Sequence, residues 1–241
     1  MRIPDNAISN ADDLGFNANT NAAILTCFEK GYINSTSLMT NMTGFEEAVE
    51  LIHSKPVITN VGVHVNFAEG KPLTNIRGNF FDADGNWDVR KINKVTNILN
   101  AAEKADFLEE INAQITMALA QKISVSHLDS HLHLHTLPCF LNLFLTAAKQ
   151  HQLKLRLAQT YNKGNLLKFY YRKYINDLIR KNDLNYSDRF STVDRYVAAY
   201  SRPGQQLVIE LMFHPWFNKA GELTDNYDPP AFKKWIDYLS E

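Results

Sequence analysis

His127-Leu128-Asp129-Ser130-His131-Leu132-His133-Leu134-His135 sets four histidines and an aspartate at alternating positions. Read as an extended strand, the run turns every metal-capable side chain one way and the leucines the other. Imidazole nitrogen and carboxylate oxygen together are the donor set of a divalent cation. A solvent-facing stripe shows the same alternation. However, four of the chain's eight histidines fall within these nine residues, a concentration that packing does not require, and the run is read as part of a metal or catalytic site.

A second acidic element supports that reading. Ala7-Ile8-Ser9-Asn10-Ala11-Asp12-Asp13-Leu14-Gly15 is a short apolar strand that ends in two carboxylates and a glycine turn. Adjacent side chains at a strand end point differently, so one aspartate can hold a cation while the other accepts a proton. Around these two segments, strand-like and helix-like stretches take turns, the order of an α/β protein with a largely parallel sheet.

Helices are expected over Asn19 to Lys30, Gly44 to Lys55, Ile92 to Gln121, Pro138 to Gln152 and from Pro230, with strands over Ser35 to Met39, Val57 to Phe67, Leu153 to Leu157 and Leu207 to Pro215. The excursion from Ala68 to Lys91 carries glycines and a turn at Asp82 to Asn86. The basic, aromatic stretch from Ala158 to Pro203 is read as a helix packing its aromatic side on the body.

Val57 to Phe67 places His64 and Asn66 near a strand's C-terminal end, and Leu207 to Pro215 does the same for His214. Arg156 stands among leucines, either on an exposed face or as a cation that fixes one aspartate. Asp12, Asp13, His64, Asp129, His131 and His214 thus all fall at strand ends, which in an α/β barrel share the face where the active site is built.

Composition narrows the remainder. The 241 residues are 45% hydrophobic, enough for one large core, and a single domain over residues 1–241 is expected. With 25 basic and 26 acidic residues, a net charge of -1 gives no field for nucleic acid or an anionic membrane. The two cysteines, Cys27 and Cys139, form no disulfide framework, and no signal-peptide core or membrane-length apolar run is evident, so a cytoplasmic location is expected.

Asn10-Ala11-Asp12-Asp13-Leu14-Gly15, Ser35-Thr36-Ser37-Leu38-Met39, Gly62-Val63-His64, Glu69-Gly70-Lys71-Pro72-Leu73, the His-rich run and Glu210-Leu211-Met212-x-His214-Pro215 resemble, in order, the motifs of the YdjC-like carbohydrate deacetylases. The resemblance implies a deformed (β/α) barrel of the polysaccharide-deacetylase type, a divalent cation (magnesium or zinc) and a homodimer. It also implies metal ligation by Asp13, His64 and His131, with Asp12 as general base and His214 as general acid. Arg156 sits where related deacetylases keep an arginine that steadies the base. Asp129 then orients a ligating histidine, and His133, His135 and Asn66 either do likewise or contact sugar hydroxyls.

The expected substrate is a small acetylated carbohydrate such as N-acetylglucosamine or a chitooligosaccharide. Two departures stand against the pattern. Trp216 follows His214-Pro215 where the family has a small residue, so its ring narrows the acetamide pocket or stacks on a sugar. The chain also ends soon after the helix from Pro230, so the barrel's last strand and helix are expected to be missing or rearranged. The alternatives are a metal-dependent hydrolase of another amide or ester, and a non-catalytic sugar- or metal-binding protein. Intact Asp12 and His214 argue against the last, since binding alone needs neither base nor acid.

Overall fold

Seven parallel strands form the frame, in the order β5-β4-β3-β2-β1-β7-β6 across the sheet, which curls into a half-barrel with helices packed around it. The computed structural model describes residues 2–162, 164–201 and 204–241; Lys163, Arg202 and Pro203, within the basic, aromatic stretch, lie outside them, as does Met1. The strands are β1 (Ala7–Leu14), β2 (Ser35–Leu38), β3 (Val61–Val65), β4 (His127–Ser130), β5 (Lys154–Leu155), β6 (Arg189–Ser191) and β7 (Ile209–Phe213). The main helices are α1 (Ala18–Glu29), α2 (Phe45–Ser54), α4 (Ala101–Ala120), α5 (Pro138–Gln150), α6 (Leu166–Lys181) and α8 (Pro229–Ser240), with single turns α3 (Val89–Ile92) and α7 (Val193–Arg195). None of the described helices is long and apolar enough to cross a membrane.

β1 sits inside the sheet, paired with β2 on one edge and β7 on the other, so the first strand is locked only when the last third of the chain is in place. One core cluster runs from Ala7 to Leu239. On one side of it Phe67 meets Trp87, Phe107, Phe140 and Phe144, with ring centroids 5.1 to 6.2 Å apart. On the other, Phe213 packs on Phe232 and Trp235 of α8, which closes the helix layer behind β7.

Three expected elements are shorter than the sequence suggested. The strand expected over Val57 to Phe67 begins only at Val61, because Asn60 adopts a left-handed φ of 51° and turns the chain into the sheet. The helix expected from Ile92 is interrupted: Asn97 closes α3 by donating to Lys91 and Ile92 carbonyls, and α4 restarts behind a capping box formed by Asn100 and Glu103. The strand expected over Leu153 to Leu157 ladders with β4 only at Lys154 and Leu155, and on its other side Leu155 makes a single bridge with Asn185.

The His-rich run departs most. β4 ends at Ser130, and Leu132 and His133 both take left-handed backbone (φ 54° and 55°), coiling residues His131–Thr136 into a tight helical turn. The histidines therefore do not share a face. His135 turns back into the core against Phe144 and pairs with the Ser130 hydroxyl, whereas His133 packs on Phe190.

Gly62 carries a prediction. A Cβ there would lie 2.5 Å from the ring of His127, which is stacked 4.0 Å from Tyr186 and has no room to retreat. Gly62→Ala is expected to cost about 1–3 kcal/mol as an overpacked core, measurable by urea denaturation.

Candidate active site

Asp12 and Asp13 would face opposite sides of an ideal strand. Between Ala11 and Leu14, however, the β1 register slips against β2, and Asp13 takes a left-handed φ of 72°. This bulge turns both carboxylates into the same cleft, the kind of re-aiming for which bulges are found beside active sites.

β3 and β4 supply the next pair. His64 and Asp129 are register partners, and the buried His64 Nδ1–H donates to Asp129 Oδ1 at 2.7 Å. Ser37 of β2 donates to the other carboxylate oxygen at 3.0 Å. The His64 ring is thereby oriented with Nε2 toward Asp13 Oδ1, 3.2 Å away but out of line for a hydrogen bond, leaving Nε2 buried without a partner. His131, just past β4, places Nδ1 3.0 Å from the same Asp13 oxygen.

One carboxylate and two imidazoles converging on a point, with an orphaned buried nitrogen among them, fit a divalent cation, and Asp13, His64 and His131 can hold one. The electrostatics agree. Burial favours a neutral His64, but Asp129 and Asp12 outweigh it and push the ring up to about 10. His131, likewise buried, is pushed up to about 9, chiefly by its hydrogen bond to Asp13. Burial works against ionised Asp13 as well, yet the two imidazoles hold it well below the usual carboxylate range. The site attracts positive charge.

Behind this trio lies Arg156, immediately past β5 and fully buried. Its Nη1 and Nη2 donate to the two oxygens of Asp12, each at 2.7 Å; Nη1 also meets Asp129 Oδ2 at 2.8 Å, and Nε donates to Glu210 Oε1 at 2.6 Å. The exposed-face reading of this arginine is excluded. Burial raises the Asp12 pKa, but the guanidinium prevails and holds it below its ordinary value. Asn10 adds a hydrogen bond to Asp12 Oδ1 at 2.8 Å. Glu210, Asn10 and Ser37 were not among the expected site residues. Glu210 has a visible signal, a lone charge in an apolar strand, because a buried charge needs a partner.

His214 follows β7. Its backbone N–H donates to Asp225 Oδ2 at 2.6 Å, its ring meets Tyr227 edge-on at 4.5 Å, and its Nε2 stands 4.0 Å from Asp12 Oδ2. A hairpin missed in the sequence, β8 (Pro215–Phe217) with β9 (Leu223–Asp225), carries Trp216 over the opening. The Asn19 amide of α1 holds this hairpin through both backbone groups of Phe217. The resulting cleft, about 110 Å³, is lined by Asp12, Asp13, Glu69, His131, His214 and Trp216 among others. A second cavity of about 250 Å³ adjoins it at His214 and Tyr227.

Asn66 and His133 line neither cavity, as is true also of the buried His64, Asp129, His135 and Arg156. The Asn66 side chain is occupied with shaping the loop after β3: it accepts from the Ala68 and Glu69 N–H groups and donates to the Glu69 carbonyl. That loop, anchored further on by Glu110 of α4 to Leu73 and Thr74, brings Glu69 to within 3.7 Å of His131 Nε2. His133 lies behind Phe190, where burial drives its ring down to about 3 and keeps it neutral.

Known proteins resemble this chain in sequence and in fold. A carbohydrate deacetylase of Brevibacillus brevis is 28% identical over 90% of this chain and 84% of its own length. One from Vibrio parahaemolyticus is 35% identical over 62% of this chain, a match spanning 57% of that relative. Among solved structures, an Enterococcus faecalis protein named for cellobiose-phosphate cleavage superposes with a TM-score of 0.75 at 20% identity, covering 98% of this chain and 90% of that one. A Thermus thermophilus lactam utilization protein gives 0.52 at 14% identity, over 97% and 96%. Residues 6–235 match the model of the YdjC-like proteins, and the chain belongs to that family.

Proposed function

We propose that this protein is a metal-dependent hydrolase that removes the acetyl group from an N-acetylated sugar. The observation that carries the reading is the 4.0 Å approach of His214 Nε2 to Asp12 Oδ2 in a cleft lined by Asp13 and His131, with His64 buried directly beside Asp13. A carboxylate facing an imidazole beside a cation site is what amide hydrolysis requires. The names of the relatives, carbohydrate deacetylases, supply the substrate class.

Asp13, His64 and His131 would hold magnesium or zinc, which supplies Lewis acidity toward a carbonyl oxygen and a water. Asp12, kept ionised by Arg156, accepts a proton from the water that attacks the acetyl carbonyl. His214 Nε2 donates a proton to the sugar nitrogen, which cannot leave as an anion. Trp216 and the hairpin limit water at the reacting carbon, and the adjoining cavity gives room for the rest of the sugar.

Acetate release tests the proposal. Protein stripped of metal and reloaded with magnesium or zinc is expected to release acetate from N-acetylglucosamine or short chitooligosaccharides only when reloaded. A folded, metal-loaded protein that releases none from any of them rules out the sugar. Binding of the cation is also expected to stabilise the fold by about 2.7 kcal/mol at a hundredfold excess over Kd, read as a rise in Tm on titration.

A further inference from the structure

Glu210 is the one charge in the apolar run of β7, fully buried and paired in register with Ile8 of β1 and Phe190 of β6. Its Oε1 takes the Arg156 Nε–H at 2.6 Å, and among the described residues its Oε2 has a single long contact, 3.5 Å, from the Ser187 hydroxyl. Arg156 already has Asp12 and Asp129 as carboxylate partners. A third buried carboxylate on one guanidinium brings a desolvation cost that charge balance does not call for.

Geometry accounts for it. A guanidinium is a rigid plane, with Nε on one edge and the Nη pair on another. Glu210 fixes the Nε edge from β7, and the Phe190 ring lies 5.3 Å from the Arg156 Cζ, so the plane can neither swing nor tilt. Both Nη groups are then aimed at Asp12 on β1, each donating to a separate oxygen.

We infer that Glu210 is a positioning residue: acting through Arg156, it sets the orientation of the Asp12 carboxylate toward the cleft. The inference rests on the reading of Asp12 as proton acceptor. Burial, against the pull of Arg156, lifts the Glu210 carboxyl to about 7, so a neutral acceptor at this place is tolerated.

The test compares three variants of the metal-loaded protein. Glu210→Gln keeps an acceptor for Nε and is expected to stay within about threefold of wild type in kcat. Glu210→Ala is expected to lose about ten- to a hundredfold in kcat with KM within about twofold and the metal content unchanged, since small misplacements of a reacting group cost that much. Glu210→Asp keeps the charge but draws the acceptor back by one methylene, and it carries the test if the alanine variant does not fold; its kcat is expected to fall with that of Glu210→Ala.

Unchanged kcat in Glu210→Asp, or equal losses in Glu210→Gln and Glu210→Asp, would overturn the inference. The Arg156 Nε–H resonance gives a readout that needs no substrate. It is expected to hold its position in Glu210→Gln and to shift and exchange faster in Glu210→Asp. If wild type releases no acetate from any sugar, the proposed reaction falls, and an unmoved resonance in Glu210→Asp separately removes the positioning role.

Discussion

Asp12→Asn is expected to lower kcat by about a hundred- to ten-thousandfold while the protein still binds its cation. The substitution keeps the shape and one oxygen, which can serve Arg156 Nη2 and Asn10, at the cost of the acceptor for Nη1, and an amide does not accept a proton. Asp12 is not in the candidate trio of Asp13, His64 and His131; it also lies close enough to His64 and Asp129 to form a second group able to hold a cation, but its two oxygens are taken by Arg156 at the end of β5. His131→Ala is the paired control, expected to lose the cation itself. Metal analysis beside acetate release reads both. Equal loss of metal in the two variants would mean that the bulge at Asp12 and Asp13 distributes their roles the other way round.

The second large effect concerns stability. Arg156→Leu leaves Asp12, Asp129 and Glu210 buried without their cation, and such broken pairs cost about 3–5 kcal/mol. The pH dependence has a definite sign. In wild type the Asp12 and Asp129 pKa values are depressed: burial raises both, but Arg156 together with His64 outweighs it. They therefore contribute stability above the ordinary carboxylate pKa of about 4, and it is lost as pH falls through their folded values. Without Arg156 the folded values rise instead, and the folded state takes up protons more readily than the unfolded chain. The deficit of Arg156→Leu is thus expected to be greatest at neutral pH and to shrink as pH falls toward about 4. Urea denaturation at several pH values measures this, and a deficit that grows on acidification contradicts the role given to Arg156.

Much of this site can be read in the sequence, for reasons that differ by residue. Asp12, Asp13, His64 and His214 are legible because each follows or closes an apolar, β-branched run, and a parallel sheet gathers such strand ends on one face. The sequence leaves two readings of Arg156 because a leucine-flanked cation looks the same on an exposed or a buried face; its three carboxylate partners, far off in sequence, decide. The alternation of the His-rich run predicts a continued strand, yet Leu132 and His133 adopt left-handed backbone, which is uncommon for leucine although histidine tolerates it. The turn buries Leu134 and His135, and local pattern carries no trace of it. β6 and the hairpin went unseen since three-residue strands are too short for periodicity, although Gly221 marks the hairpin's turn.

The Arg156 cluster has a consequence for how the chain reaches its final form. Its hydrogen-bonded partners are Asp12, 144 positions earlier, and Glu210, 54 positions later. No contiguous fragment shorter than that span holds all of them, and β1 keeps one edge unpaired until β7 arrives. During synthesis the first six strands must therefore wait with an incomplete interior, and contacts of such long sequence separation make closure slow. Insertion of β7 between β1 and β6 is then the step at which the chain gains both its last internal strand and its working site, so folding and competence arrive together.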